Sequence, residues 1–152
     1  MRDNVLVLSN SQAFASISTG EVSTNVLNME TDSAANALLT DDQIGCFMNI
    51  TVISAPAQAT IVATEGICFQ LRTAAAAALT SVYEICGSIS VIPSLLVAGK
   101  KFSIPIKKDI LQTFVGAWVM AISTALVGTL TLDIELSDQP ISENESLQKV
   151  VS

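Results

Sequence analysis

The chain has 152 residues, half of them hydrophobic and 14% charged, with 7 basic and 14 acidic side chains, no histidine and a net charge of −7. A length near 150 makes one domain that buries roughly 70% of its extended surface without a metal or disulfide staple. The acidic balance argues against nucleic acid, which is held through basic residues, and the lack of histidine removes the side chain most used as general base or metal ligand.

The charge is unevenly placed. Residues 1–42 hold Asp3, Glu21, Glu30, Asp32, Asp41 and Asp42 against Arg2, residues 138–152 hold Asp138, Glu143 and Glu145 against Lys149, and residues 43–137 balance five acids with five bases. The chain therefore divides into an irregular N-terminal arm (1–42), a neutral apolar body (43–137) and an acidic C-terminal tail (138–152).

The apolar run at 5–8 is too short for the roughly 7–15-residue core of a secretory signal. The Ser/Thr/Asn-rich stretch 9–31 has few bulky residues and reads as an arm or long irregular connection. Asp32 then offers an N-cap to an apolar stretch ending at Leu39, which suits two helical turns.

From there the chain reads as β. Val, Ile and Thr total 42 residues and Glu plus Lys only 12, a composition for half-buried pleated surfaces. Strands are expected at 46–54, 67–72, 79–86, 89–91, 101–107, 113–123 and 129–136, with breaks at Ala55-Pro56-Ala57, Gly87-Ser88, Ala98-Gly99 and 125–128. The clearest is 129–136, where Leu130, Leu132, Ile134 and Leu136 alternate with Thr129, Thr131, Asp133 and Glu135. The alanines 74–78 are too few for a stable helix and suit a turn at the end of a hairpin. Pro105 places its strand at an edge or bulge, with Lys101 and Lys107 guarding the outward face. The uncharged 23 residues 110–132 are long enough to cross a bilayer, but their polar clusters and the acids that follow favour a buried pair of strands. The expected fold is all-β and single-domain, a sandwich, jelly roll or barrel, with an irregular N-terminal arm.

Little here carries chemistry. Cys46, Cys68 and Cys86 have neither zinc-site nor disulfide spacing and read as small buried hydrophobes in a reducing compartment. The sequons at Asn49 and Asn144 are read as chance matches. Asp133 and Glu135 share a strand face about 7 Å apart, which suits a solvated face; joined to Asp138 they could hold a calcium ion. Without histidine, only a Ser–Lys pairing could activate a hydroxyl, and no spacing singles one out. Lys100, Lys101, Lys107 and Lys108 place four of the seven bases within nine residues. They read either as edge protection, paired with Asp133 and Glu135 on a neighbouring strand, or as a docking patch for an acidic protein surface. Trp118 and Tyr83 read as core. No catalytic residue, metal or cofactor is expected.

Several short motifs resemble the capsid cement (decoration) proteins of short-tailed bacteriophages. They are Asp3, Leu8-Ser9, Gln12-Ala13, Ser23-Thr24-Asn25-Val26-Leu27, Leu96-Val97-Ala98-Gly99, Phe102-Ser103-Ile104-Pro105 and the strand that begins at Gly128 and ends at Asp133. The resemblance implies a jelly-roll-like homo-oligomer, a dimer favoured over a trimer. It also implies binding outside the capsid, bridging subunits of the major capsid protein, with no catalytic residues. Such a protein would be made in the host cytoplasm and end in the virion, with no nucleic-acid or membrane partner. The central segment and the tail after Ser137 depart from the family. Residues 1–42 are expected to lie across a neighbouring chain or the shell, and Lys100, Lys101, Lys107 and Lys108 to be contacts. A host-attachment or carbohydrate-binding β-sandwich is the alternative, and would need exposed aromatics for sugars to stack on.

Overall fold

The computed structural model describes residues 5–14, 20–40, 45–55, 66–80, 82–92, 95–121 and 129–141. They form nine strands and one helix: β1 (Val5–Phe14), β2 (Glu21–Val22), β3 (Leu27–Asn28), α1 (Ser33–Thr40), β4 (Phe47–Ser54), β5 (Ile67–Ala74), β6 (Tyr83–Val91), β7 (Lys101–Pro105), β8 (Phe114–Ala121) and β9 (Leu130–Ser137). All pairings are antiparallel, in sheets ordered β1-β9-β4-β7 and β2-β8-β5-β6, with β3 also on β8.

Ser23 makes β2 and β3 one interrupted strand. Its N–H donates to the Ala117 carbonyl at 2.9 Å, and its Oγ accepts the Ala117 N–H at 3.0 Å, so the ladder to β8 continues across the gap. Counted this way there are eight strands, and the first pairs with the last, the second with the seventh, the third with the sixth and the fourth with the fifth. That is a long hairpin, closed between β5 and β6 and rolled into two sheets, which is the jelly-roll arrangement. The expected all-β sandwich is what forms.

The core follows from period two. Met48, Ile50 and Val52 of β4, Ile67, Phe69 and Leu71 of β5, Val115, Ala117 and Val119 of β8, and Leu130, Leu132, Ile134 and Leu136 of β9 all point inward. Fully burying each large side chain is worth about 1.5–3 kcal/mol. Phe69 and Phe102 stack across the two sheets with ring centroids 6.3 Å apart. The uncharged stretch 110–132 thus supplies β8 and the start of β9, and no helix among the described residues is long and apolar enough to cross a membrane. The helix expected after Asp32 is α1, capped by the Ala35 N–H on Asp32 Oδ1 at 3.0 Å.

The boundary expected at residue 42 is corrected. β1 is a ten-residue strand paired along β9, Leu8 and Phe14 are fully buried, and β2, β3 and α1 also pack into the sandwich. The segment looked irregular because β1 is broken by register shifts between Val7 and Ser9 and between Ser9 and Gln12. Such bulges erase the alternation that marks a strand. The break expected at Gly87-Ser88 is another bulge, opposite Leu71 and Arg72, inside the single strand β6. The turn expected at 74–78 is the β5–β6 hairpin end, where 75–78 are exposed. The expected breaks at Pro56-Ala57 and 125–128, the sequon at Asn144 and the tail beyond Ile141 lie outside the described residues.

Candidate interaction surfaces

The lysines do not form one patch. Lys101 opens β7, an edge strand as Pro105 required, while Lys107 and Lys108 follow its end; six residues of extended chain separate Lys101 from Lys107 by roughly 20 Å. The Lys107 N–H donates to the Cys86 carbonyl of β6 at 2.8 Å and the Ile106 N–H to the Cys46 carbonyl at 2.9 Å, so this stretch closes one side of the sandwich. Lys108 Nζ donates to the Leu38 carbonyl at 3.3 Å, placing a cation at the C-terminal end of α1, where the helix dipole favours it. Thr51 of β4 stands between Lys101 and Asp133, opposite both.

Asp133 and Glu135 share the outward face of β9, as expected. Asp133 Oδ1 accepts the Ser11 N–H at 2.6 Å, and Ser9 Oγ donates to the Leu132 carbonyl at 3.0 Å, so together they staple the bulged part of β1. Among the described residues no three Cys, Asp or Glu side chains come together as a metal site requires, so Asp138 does not complete a site with the other two.

The amphipathic aromatics lie on the outer face of the second sheet. The Arg72 guanidinium, 5% exposed, sits 3.7 Å from the Tyr83 ring centroid and 4.1 Å from that of Trp118, donating through Nε to Gln70 and through a terminal nitrogen to the Leu79 carbonyl. Burial pulls its pKa down, opposed by Tyr83 and Cys68. Trp118 is 7% exposed, and Gly20 packs so closely on the indole that a Cβ there would overlap it. Both rings are thus engaged within the fold. The thiols are free; burial first, then neighbouring acids, pushes the Cys86 pKa up to about 12, and burial pushes that of Cys46 up to about 11, against the pull of Lys108.

Sheet edges are closed by named devices, which is how native sheets avoid strand addition. Along β1, the Asn25 N–H and Nδ2 donate to the Leu8 and Val7 carbonyls, and Gln12 bridges the Val22 carbonyl and the Thr24 N–H. β7 carries Pro105, and β6 carries its bulge and the Lys107 contact. An open groove of about 570 Å³ lies between β1, β3 and the N-cap of α1. Three of its polar side chains are committed: Asn25 to Val7, Asn28 to the Glu30 N–H and Asp32 to the helix cap.

The two ends of the sandwich differ most. The pairs Phe14 with Leu130, Ser54 with Thr131, Thr51 with Lys101, Ile67 with Val91 and Ile67 with Ala121 show that four connections leave from the same end. Those stretches, 15–20, 55–66, 92–100 and 122–129, contain Glu65 and Lys100 as their only charges. At this end Ile53, Ile92 and Val97 are 41%, 39% and 38% exposed. The connections at the other end, 29–46, 75–82 and 106–113, hold Glu30, Asp32, Asp41, Asp42, Lys107, Lys108 and Asp109. The apolar end was not visible in the sequence, because its four pieces are scattered along the chain and only the strand order brings them together.

Comparison with protein-family models and with curated proteins finds no match to this chain.

Proposed function

We propose that the protein is a structural component of a phage virion that binds the outside of the capsid and cements neighbouring major capsid protein subunits. The observation that carries this reading is the sparsely charged loop end with Ile53, Ile92 and Val97 in the open. Exposed aliphatic side chains stand at both ends of the sandwich, Val82 and Ile85 among them at the charged end, but here the connecting stretches carry only two charges, which suits attachment by this end to a protein surface. The resemblance of the short motifs to cement proteins, and the jelly-roll strand order, support the same reading.

A cement protein needs adhesion and no reactive group. It stabilises the shell by binding the assembled lattice better than separated subunits, a linkage effect that grows with its concentration. Many copies on one lattice allow each contact to be modest. Homo-oligomers, dimers before trimers, would extend this avidity. The strands β1 to β3 and helix α1 are built into the body and form no arm that crosses to a neighbour. Co-sedimentation of the purified protein with undecorated shells tests the reading. Saturable binding, accompanied by a higher shell disruption temperature, is expected; a protein left in the supernatant at all concentrations contradicts it.

A further inference from the structure

Alternation decides which main-chain groups of β6 leave its sheet. On β8, the Ala117 N–H donates to Ser23 Oγ and the Ala117 carbonyl accepts the Ser23 N–H, both on the side away from β5. Leu71 of β5, opposite Ala117, therefore turns its own N–H and C=O toward β6, where Gly87 stands opposite it. Followed along β6, Gly87, Ile89 and Val91 point theirs back at β5, and Ser88 and Ser90 point theirs out of the sheet edge. The Val91 carbonyl, which crowds Gly66 at the start of β5, fixes the same phase.

The devices that guard β6 stop short of this stretch. The Lys107 N–H reaches the Cys86 carbonyl, and a Cβ on Gly87 would lie 3.0 Å from the Pro105 carbonyl oxygen. Beyond Gly87, no hydrogen bond from the described residues meets the outward main-chain groups of Ser88 and Ser90. Neither lysine nor proline, the usual guards of an edge, occurs between Ile85 and Ile92. Those two isoleucines, 42% and 39% exposed, flank the serines.

We infer that this edge pairs with itself: a second copy of the chain adds its β6 antiparallel, about a two-fold axis at Ser90, and the second sheet runs on through both copies. In that register Ser90 faces the partner's Ser90 and Ser88 faces the partner's Ile92. The bulge at Cys86 brings Ile85 to the outer face two rows from Ser88, diagonal to the partner's Ile92 and within side-chain reach. The chain turns away after Ile92, where the Leu95 N–H donates to the Ile92 carbonyl, so the added strand ends before it would meet Lys107. Symmetry selects a second copy over a foreign strand, because each exposed isoleucine is covered by its counterpart twice across the axis. Charge selects it too. Each copy carries −7, and residues 85–99 hold no charged side chain, so like-charged chains meet where neither bears charge. This pairing belongs to the free protein and does not rest on attachment to a shell.

Sedimentation equilibrium of the full-length protein tests it. A mass that rises with concentration from one chain to two is expected, and Ser88→Lys should weaken the dimer by about tenfold or more at an unchanged Tm. Under oxidation, Ser90→Cys in a Cys68→Ser background should give disulfide-linked dimers, since facing residues stand about 5.5 Å apart. Ser88→Cys in the same background should not, because its two copies stand roughly 14 Å apart. A protein that stays monomeric at millimolar concentration, a dimer indifferent to Ser88→Lys, or crosslinking through Ser88→Cys but not Ser90→Cys each overturns the assignment.

Discussion

Asn49 of β4 and Ser103 of β7 stand opposite each other on the outer face of the first sheet, joined by a 2.8 Å hydrogen bond and buried beneath residues 139–141. Removing the amide leaves Ser103, Ile141 and the Gln139 carbonyl without that partner, at about 1–3 kcal/mol. Asn49→Ala is expected to lower Tm by several degrees and to speed hydrogen exchange at the Ile141 amide, which keeps Ser103 Oγ as its acceptor. Unchanged Tm and exchange at Ile141 would contradict this hydrogen bonding. The burial also makes the sequon at Asn49 inaccessible to glycosylation in the folded protein.

Three backbone positions with positive φ should respond differently to substitution. Gly20 has φ +100° and abuts the Trp118 indole, so Gly20→Ala combines strain with a clash and is expected to cost about 2 kcal/mol or more. Gly99 has φ +90° with nothing within 4 Å of where a Cβ would stand, so Gly99→Ala costs strain alone, about 1–2 kcal/mol. Val82 has φ 30° and is 92% exposed, so Val82→Asn gives up almost no packing and should stabilise by up to about 1 kcal/mol. Chemical denaturation of the three variants checks the order.

Arg72 bridges the two rings and two neutral oxygens, which a planar guanidinium does and an ammonium does not. Arg72→Lys is expected to cost about 1–3 kcal/mol. Trp118 is the only tryptophan, so its emission reports the site alone. The variant should change native-state fluorescence as well as the unfolding midpoint. An unchanged spectrum would show that the stack is not formed.

The thiols predict a loss of stability at high pH. Cys46 and Cys86 have pKa values raised from 9.0 to about 11 and about 12, chiefly by burial. The folded state holds these protons more tightly than the unfolded state. Their contribution is therefore complete below pH 9 and is lost as pH rises through 11 to 12. Denaturation between pH 8 and 11 should show a falling free energy, and Cys86→Ala should flatten that slope. At pH 8 a thiol reagent should modify the half-buried Cys68 ahead of the other two.

Most strands were legible in the sequence because period two survives in them: 129–136 became β9 and 101–107 became β7 with its edge proline. β1 was not, because its bulges are mended by partners more than a hundred residues away, Leu132 for Ser9 and Asp133 for Ser11. Long-range repairs leave no local pattern. The same limit applies to surfaces. Four lysines adjacent in sequence looked like one patch, yet an extended strand holds them in two places, while Ile53, Ile92 and Val97, distant in sequence, share one end. Asn49 looked like an accidental sequon, since nothing near it announces the segment 90 residues later that covers it.

The central claim is attachment to a capsid through the sparsely charged loop end. The most direct measurement is occupancy on purified undecorated shells, by electron microscopy, for the wild type and for the triple variant Ile53→Glu, Ile92→Glu, Val97→Glu. Because these side chains are already 38–41% exposed, the variant should keep its fold and its Tm within a few degrees. Density outside the shell for the wild type and its loss in the folded variant is the predicted result; equal density in both, or none in either, would contradict it.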